Sequence, residues 1–369
     1  MQINVITENT VDFIEKYELI LKMYHYTNMP LLPTQVIGSY GTPGWLYVVR
    51  DSMKAGDKMG PVDTAEAFDD ATNLAIMEME EAGVDVISDG EMRRFNFLVG
   101  FYDYIQGVQK IPWERQLGYP GPDMINAFRA VDKFATPKGL GLVEEIQYAR
   151  TRTDKPLVTP LGGPVTFAFR IDPAAVYKDK PEVAWALVPL LNQELKNVVA
   201  AGATHIQIDE PSAIDDFVAV DEFVEMINAM VEGVNATIGL HICFGNFLGR
   251  PAVAHRTYEH IAPIFKKLHV DIIHLEFANR GMWQSDIFAK HARDDQFLAA
   301  GVVDVKARAV EKPEIVAERI HNILDHNDPQ RVWISADCGF SMTARWVARE
   351  KLKAMVAGTK MVRRELGAE

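Results

Sequence analysis

The sequence predicts a single α/β domain, a (β/α)8 barrel, on three observations. Short β-branched runs recur eight times, amphipathic stretches stand between most of them, and no low-complexity segment or Gly/Ser linker divides the chain. Strands that alternate with helices pair in parallel, and a series of eight such units is best closed on itself, which leaves no sheet edge exposed. The 369 residues suffice for one domain of this kind.

Residues 1–30 are expected to form a helix ahead of the first strand, covering the barrel bottom or making a dimer contact. The predicted strands follow as Gln35–Ser39, Val84–Ser88, Pro156–Thr159, His205–Ile208, Thr237–Cys243, Asp271–Leu275, Gly301–Val305 and Arg331–Ser335. Apolar residues at helical spacing predict helices over Thr64–Ala82, Pro181–Ala201, Asp221–Val234, Pro313–Leu324 and Ala344–Ala357. From the fourth strand onward the units repeat about every thirty residues, the length of one βα unit. The surplus lies at about residues 92–155, rich in aromatics and turn formers. An insertion there follows strand two, and it forms either a lid over the catalytic face or a small packing subdomain.

Hydrophobic content of 48% and charged content of 24% are ordinary for a globular protein. A formal net charge of -13, with no Lys/Arg stripe, argues against a nucleic-acid partner. No run of eighteen apolar residues suggests a membrane span, and Glu15, Lys16, Glu18 and Lys22 interrupt what would be a signal-peptide core. A cytoplasmic protein is expected. Its two cysteines, Cys243 and Cys338, then point to metal binding or reactivity more than to a disulfide.

Parallel strands place their C-terminal ends on one face, where catalytic groups collect. The expected ends are Ile37-Gly38-Ser39-Tyr40, Asp89-Gly90-Glu91, Gly162-Gly163-Pro164, Asp209-Glu210-Pro211, His241-Ile242-Cys243, His274-Leu275-Glu276, Asp304-Val305-Lys306 and Asp337-Cys338-Gly339. Residues i and i+2 of a strand share a side, so His241 and Cys243 can reach one point, and Cys338 can face the same mouth. Two thiolates and an imidazole suit Zn2+, with Glu276 as candidate fourth ligand and His274 as its alternative. The competing reading is that both cysteines are merely buried small hydrophobes. Asp209-Glu210 is either an acid/base pair or a helix cap.

Together these ends resemble the catalytic barrel of the cobalamin-independent methionine synthase family, over about Leu32 to Leu366. The motifs that carry the resemblance are Ile37-Gly38-Ser39, Asp89-Gly90-Glu91, Gly163-Pro164-Val165-Thr166, Ile206 to Pro211, His241-Ile242-Cys243, Glu276 and Asp337-Cys338-Gly339. The resemblance implies that His241, Cys243, Glu276 and Cys338 ligate a catalytic zinc. It also implies that the Ile37 and Ser39 backbone and the Glu91 and Asp209 carboxylates hold an amino-acid thiol. Two departures bear on the donor: Asp304-Val305-Lys306 stands where the family has an aspartate and histidine, and Arg170 stands where the family carries a pterin-stacking tryptophan.

The expected reaction is therefore alkylation of a thiol, with zinc supplying thiolate at neutral pH. Homocysteine or a close analogue is the expected acceptor and methionine the product. A methyl-corrinoid, free or on a corrinoid protein, is weighed as donor in place of a folate. Asp209 and Lys306 are the catalytic candidates; Lys306 would donate a proton or bind an anionic donor group. The alternatives are epoxide conjugation to coenzyme M, for which Arg93 and Arg94 could bind the sulfonate, and a zinc- or thiol-binding barrel without turnover. A homo-oligomer is left open.

Overall fold

The computed structural model describes residues 29–54, 56, 59–94, 98–111, 127–214, 217–245 and 257–369. All but the last two residues of the expected helix over 1–30 lie outside that set, as do Phe95, Phe97, Trp113, Tyr119 and the Pro120 to Pro122 turn. In chain order the described strands are β1 (Gln106–Ile111), β2 (Ala127–Ala135), β3 (Val158–Gly162), β4 (Ile171–Asp172), β5 (His205–Asp209), β6 (Thr237–Ile242), β7 (Ile272–Glu276), β8 (Phe297–Val303) and β9 (Val332–Ala336). The α-helices are α1 (Gly44–Lys54), α2 (Pro61–Ala82), α3 (Leu142–Arg150), α4 (Pro164–Phe169), α5 (Lys180–Ala200), α6 (Val220–Val231), α7 (Ile287–His291), α8 (Pro313–Leu324) and α9 (Arg345–Glu365).

The expected α/β architecture with a parallel sheet is present. Strands β3, β5, β6, β7, β8 and β9 form one sheet in that order, every pair parallel. Its edges are joined by parallel bridges: Thr34 pairs with Ile334 of β9, Gln35 with Val86, and Ile87 with Leu157 just ahead of β3. The first two expected strands are therefore short bridging segments. Side chains take up backbone groups there that a longer ladder would use. Thr34 N donates to Asp85 Oδ2 (2.8 Å), Gln207 Nε2 to the Ile37 carbonyl (2.7 Å) and Ser88 Oγ to the Gly38 carbonyl (2.5 Å).

Strands β3, β5, β6, β7 and β9 are buried at every position, as parallel strands covered on both faces must be. β8 begins at Phe297, ahead of the expected Gly301, because pairing with β7 and β9 holds Ala299 and Ala300 extended although alanine has little strand propensity of its own. Helices pack on the outside. α5 opens with Asp179 as N-cap, its side chain accepting from Glu182 N (3.0 Å), and α9 lies against both α8 and α2, which brings the last unit back to the first.

Pairing register sets the height at which each strand ends. Gly162 stands beside Asp209, Asp209 beside His241, His241 beside His274, and Glu276 beside Gly301. Gly301 has to lack a side chain, since a Cβ there would lie 2.6 Å from Asp337 Oδ1 and 3.0 Å from the Leu275 carbonyl.

The surplus segment supplies β1 and β2 of a separate three-stranded sheet, with β2 antiparallel to β1 and parallel to β4, which follows α4. Tyr102 fastens it to the main body. Its ring stacks on Phe128 at 3.9 Å, and its hydroxyl donates to the Phe167 carbonyl of α4 (2.7 Å). Among the described residues, no helix is long and apolar enough to cross a membrane.

Candidate metal centre

The last strand positions converge on a set of metal-binding atoms. His241 lies on β6 and Cys243 just past its end, while Cys338 follows β9. The three residues place one ligand atom each within 4.8 Å of one another, and the two sulfurs are 3.7 Å apart. The Cys338 hydrogen bond and the neighbouring imidazole hold Cys243 well below the ordinary thiol value although burial opposes this. Hydrogen bonding to Cys243, and burial, push Cys338 well above it. Gly245 N approaches the Cys243 sulfur at 3.4 Å.

His241 is aimed by Asp209. A carboxylate only accepts, so Nδ1 carries the hydrogen and donates to Asp209 Oδ1 at 2.9 Å. The same oxygen accepts from Gln207 Nε2 (3.0 Å). Nε2 of His241, buried and without a partner, is left as the nitrogen available to a metal.

The two candidates for a fourth ligand stand outside this three-residue group. Glu276 Oε1 is 2.5 Å from Lys306 Nζ, and its Oε2 accepts from Phe244 N (3.3 Å). Burial raises the Glu276 carboxyl while the lysine opposes it. His274 Nε2 donates to the Ala336 carbonyl (3.1 Å) and its Nδ1 has no partner; the ring is 5.0 Å from that of His241. Lys306 is no rim lysine, for its side chain is only 4% exposed.

The expected substrate residues gather beside the group and are all buried. Ser39 lies against Gly339, next to Cys338, and its carbonyl accepts from Phe340 N (2.8 Å). Glu91 sits in the left-handed region (φ 56), its amide held by Asp89 Oδ1 at 2.9 Å. That turn brings the Glu91 carboxyl against Gly38, where a Cβ would come within 2.5 Å of Oε1. Burial, opposed by Arg94, raises the Glu91 pKa to about 8, and its Oε2 has no partner. The adjacent arginines are both engaged by acids. Arg94 lies between Glu145 (2.7 Å) and Glu91 (3.6 Å), and Arg93 pairs with Asp69 and covers the Tyr148 ring.

Of the Asp209-Glu210 pair, Glu210 is a cap. Its carboxylate accepts from Val165 N (2.9 Å), Thr166 N (2.9 Å) and Thr166 Oγ1 (2.7 Å) at the start of α4. Sequence reasoning missed Gln207, Glu145 and the structural part of Asp337. Gln207 had a signal, being two residues before Asp209 on the same face of β5. Glu145 had none, because α3 reaches Arg94 only through the fold.

A cluster of two cysteines and a histidine at the ends of parallel strands, beside a buried carboxyl, is consistent with the metal site of an α/β enzyme. Residues 32–361 match the family model described as cobalamin-independent synthase, catalytic domain, and the chain belongs to that family. It is 37% identical over 345 residues to a protein named methionine synthase from Saccharolobus solfataricus, covering 92% of this chain and 97% of that protein. A methionine synthase from Sulfurisphaera tokodaii is 34% identical over 346 residues, covering 92% and 94%. Among solved structures, a B12-independent methionine synthase from Shewanella sp. W3-18-1, in complex with selenomethionine, superposes with a TM-score of 0.79 at 27% identity, covering 92% of this chain and 100% of that one.

Proposed function

We propose that this protein is a zinc-dependent methyltransferase on a single (β/α)8 barrel, which moves a methyl group onto the sulfur of homocysteine to give methionine. The observation that carries the reading is the convergence of His241, Cys243 and Cys338 within 4.8 Å, beside the buried Ser39 and Glu91. This donor set suits zinc, whose bonds of about 2.3 Å to sulfur set two tetrahedral sulfurs about 3.8 Å apart. The sulfurs here are 3.7 Å apart, and His241 Nε2 is a buried nitrogen with no other partner. Glu276 is the proposed fourth ligand. His274 stays the alternative, its Nε2 turned to the Ala336 carbonyl and its Nδ1 without a partner.

Zinc bound there would lower the pKa of an incoming thiol, so that thiolate forms at neutral pH. The chain's own residues orient the rest of the substrate. Glu91 receives the ammonium on its unpartnered Oε2, and the backbone of Ile37 to Ser39 flanks it. Asp209, whose Oδ1 already serves His241 and Gln207, contributes charge. The described parts of the insertion, residues 98–111 and 127–155, are fastened to α4 through Tyr102 and are read as a cover for this mouth.

A methyl-corrinoid is the proposed donor. A folate amine must gain a proton as the methyl group leaves, and the side chain two residues past Asp304 is Lys306, engaged with Glu276. A methyl-corrinoid releases its methyl group with the bonding electron pair staying on cobalt, so no proton is required. Coenzyme M fits less well, because Arg93 and Arg94 are already paired with carboxylates.

The test is a donor-by-acceptor screen on zinc-loaded protein. Methylcobalamin with homocysteine should give methionine, and methyltetrahydrofolate little or none. Turnover only with an epoxide and coenzyme M would overturn the acceptor assignment. Zinc and homocysteine binding with no donor accepted would leave a binding protein in place of an enzyme.

A further inference from the structure

The Lys306–Glu276 ion pair is buried from both sides: the side chains are 4% and 1% exposed, with Nζ and Oε1 2.5 Å apart. Ordinary surface pairs contribute little, but removing one partner of a buried pair leaves an uncompensated charge at a cost of several kcal/mol. Lys306 is also held in place independently of its ammonium. Asp304 Oδ1 accepts from Lys306 N (2.8 Å) and Ala307 N (3.2 Å), and Asp304 Oδ2 accepts from Asn279 Nδ2 (3.1 Å). Asp337 accepts from Phe277 N (3.0 Å), Ala278 N (2.9 Å) and Asn279 N (2.7 Å). The loop after β7 and the loop after β8 are thereby tied together, and tied also to the residue preceding Cys338. Phe244 N, next to Cys243, holds the other oxygen of Glu276 at 3.3 Å. This carboxylate is poised between a lysine on one side and the cysteine strand on the other.

We propose that Lys306 is a latch on Glu276: by holding the carboxylate it keeps the fourth position beside His241, Cys243 and Cys338 open to a thiol. The inference rests on the reading of Glu276 as the fourth metal ligand. It assigns Lys306 a positioning role in place of proton donation. Without the ammonium, a buried Glu276 is left to the more distant Arg280 guanidinium, which also acts on it electrostatically, and to the metal, and the carboxylate then competes with the substrate sulfur. A proton donor would alter turnover and its pH profile, whereas a latch alters thiol affinity and the atoms around the metal.

X-ray absorption at the zinc edge, with and without homocysteine, separates these roles in wild type, Lys306→Met, Lys306→Arg, Glu276→Gln and the Lys306→Met/Glu276→Gln double variant. The wild type should gain a third sulfur on adding homocysteine. Lys306→Met should keep its zinc, retain a light ligand in place of that sulfur, and bind homocysteine about a hundredfold more weakly, the scale of a broken buried pair. Lys306→Arg and the double variant should restore sulfur uptake. A Lys306→Met protein that takes up the third sulfur with wild-type affinity overturns the latch while leaving Glu276 as a ligand. If Glu276→Gln changes neither the light-ligand count nor thiol uptake, and fails to rescue Lys306→Met, the fourth-ligand reading falls and the latch with it.

Discussion

His241 Nδ1 donates to Asp209 Oδ1 at 2.9 Å, across the β5–β6 pairing that sets these two residues side by side. This bond selects the tautomer that presents Nε2 to a metal. Replacing Asp209 with alanine should weaken zinc binding about 10- to 100-fold, the usual cost of removing a partner behind a ligating histidine. Competition with a chromogenic chelator measures this, and unchanged affinity would remove Asp209 from the metal site.

Cys243→Ser and Cys338→Ser should each lose stoichiometric zinc while remaining folded, since each exchanges one atom at the mouth and leaves the strands intact. Added zinc should raise the wild-type melting temperature, because a ligand that binds only the native state stabilises it by mass action. The variants should show little response. Full zinc retention in both would contradict the ligand set.

Burial raises the Glu91 pKa to about 8, against the opposing influence of Arg94. Below that pH the carboxyl is protonated and must release its proton to receive an ammonium. Homocysteine affinity should therefore rise with pH and lose one proton's dependence above about 8. Glu91→Gln should bind more weakly and show a pH slope shallower by one proton, as read by calorimetry in several buffers. The same shift affects stability. For an acid whose folded pKa lies above its ordinary value of 4.5, the folded state binds the extra proton, so stability falls as pH rises from about 4.5 to 8. Glu91→Gln should flatten that decline.

Glu210 accepts three hydrogen bonds at the start of α4. Glu210→Ala leaves the Val165 and Thr166 amides buried without partners and should cost about 1–3 kcal/mol per unsatisfied group. Urea titration measures the loss. A stability change within experimental error would show that water takes over the cap.

Much of the fold was legible because its signals are local. The β-branched runs that became β5, β6, β7 and β9 announce themselves within five or six residues, and helical spacing located α2, α5, α6, α8 and α9. β8 was misplaced at its start because alanines carry no strand signal, and the first two strands shrank to bridges because side chains satisfied their backbones. The small sheet of β1, β2 and β4 was not foreseen, since β4 has only two residues and its pairing with β2 links segments far apart in the chain.

The sequence by itself determined which residues arrive at the strand ends. Alternation along a strand puts His241 and Cys243 on one side, and parallel order gives Glu91, Asp209, Glu276, Lys306 and Cys338 the same face. Only the tertiary structure decided who pairs with whom: Asp209 with His241, Arg94 between Glu91 and Glu145, Lys306 with Glu276. Each pair joins groups on different segments, and a buried charge takes whichever partner the packing brings within reach, because leaving it alone costs more than any local preference can return.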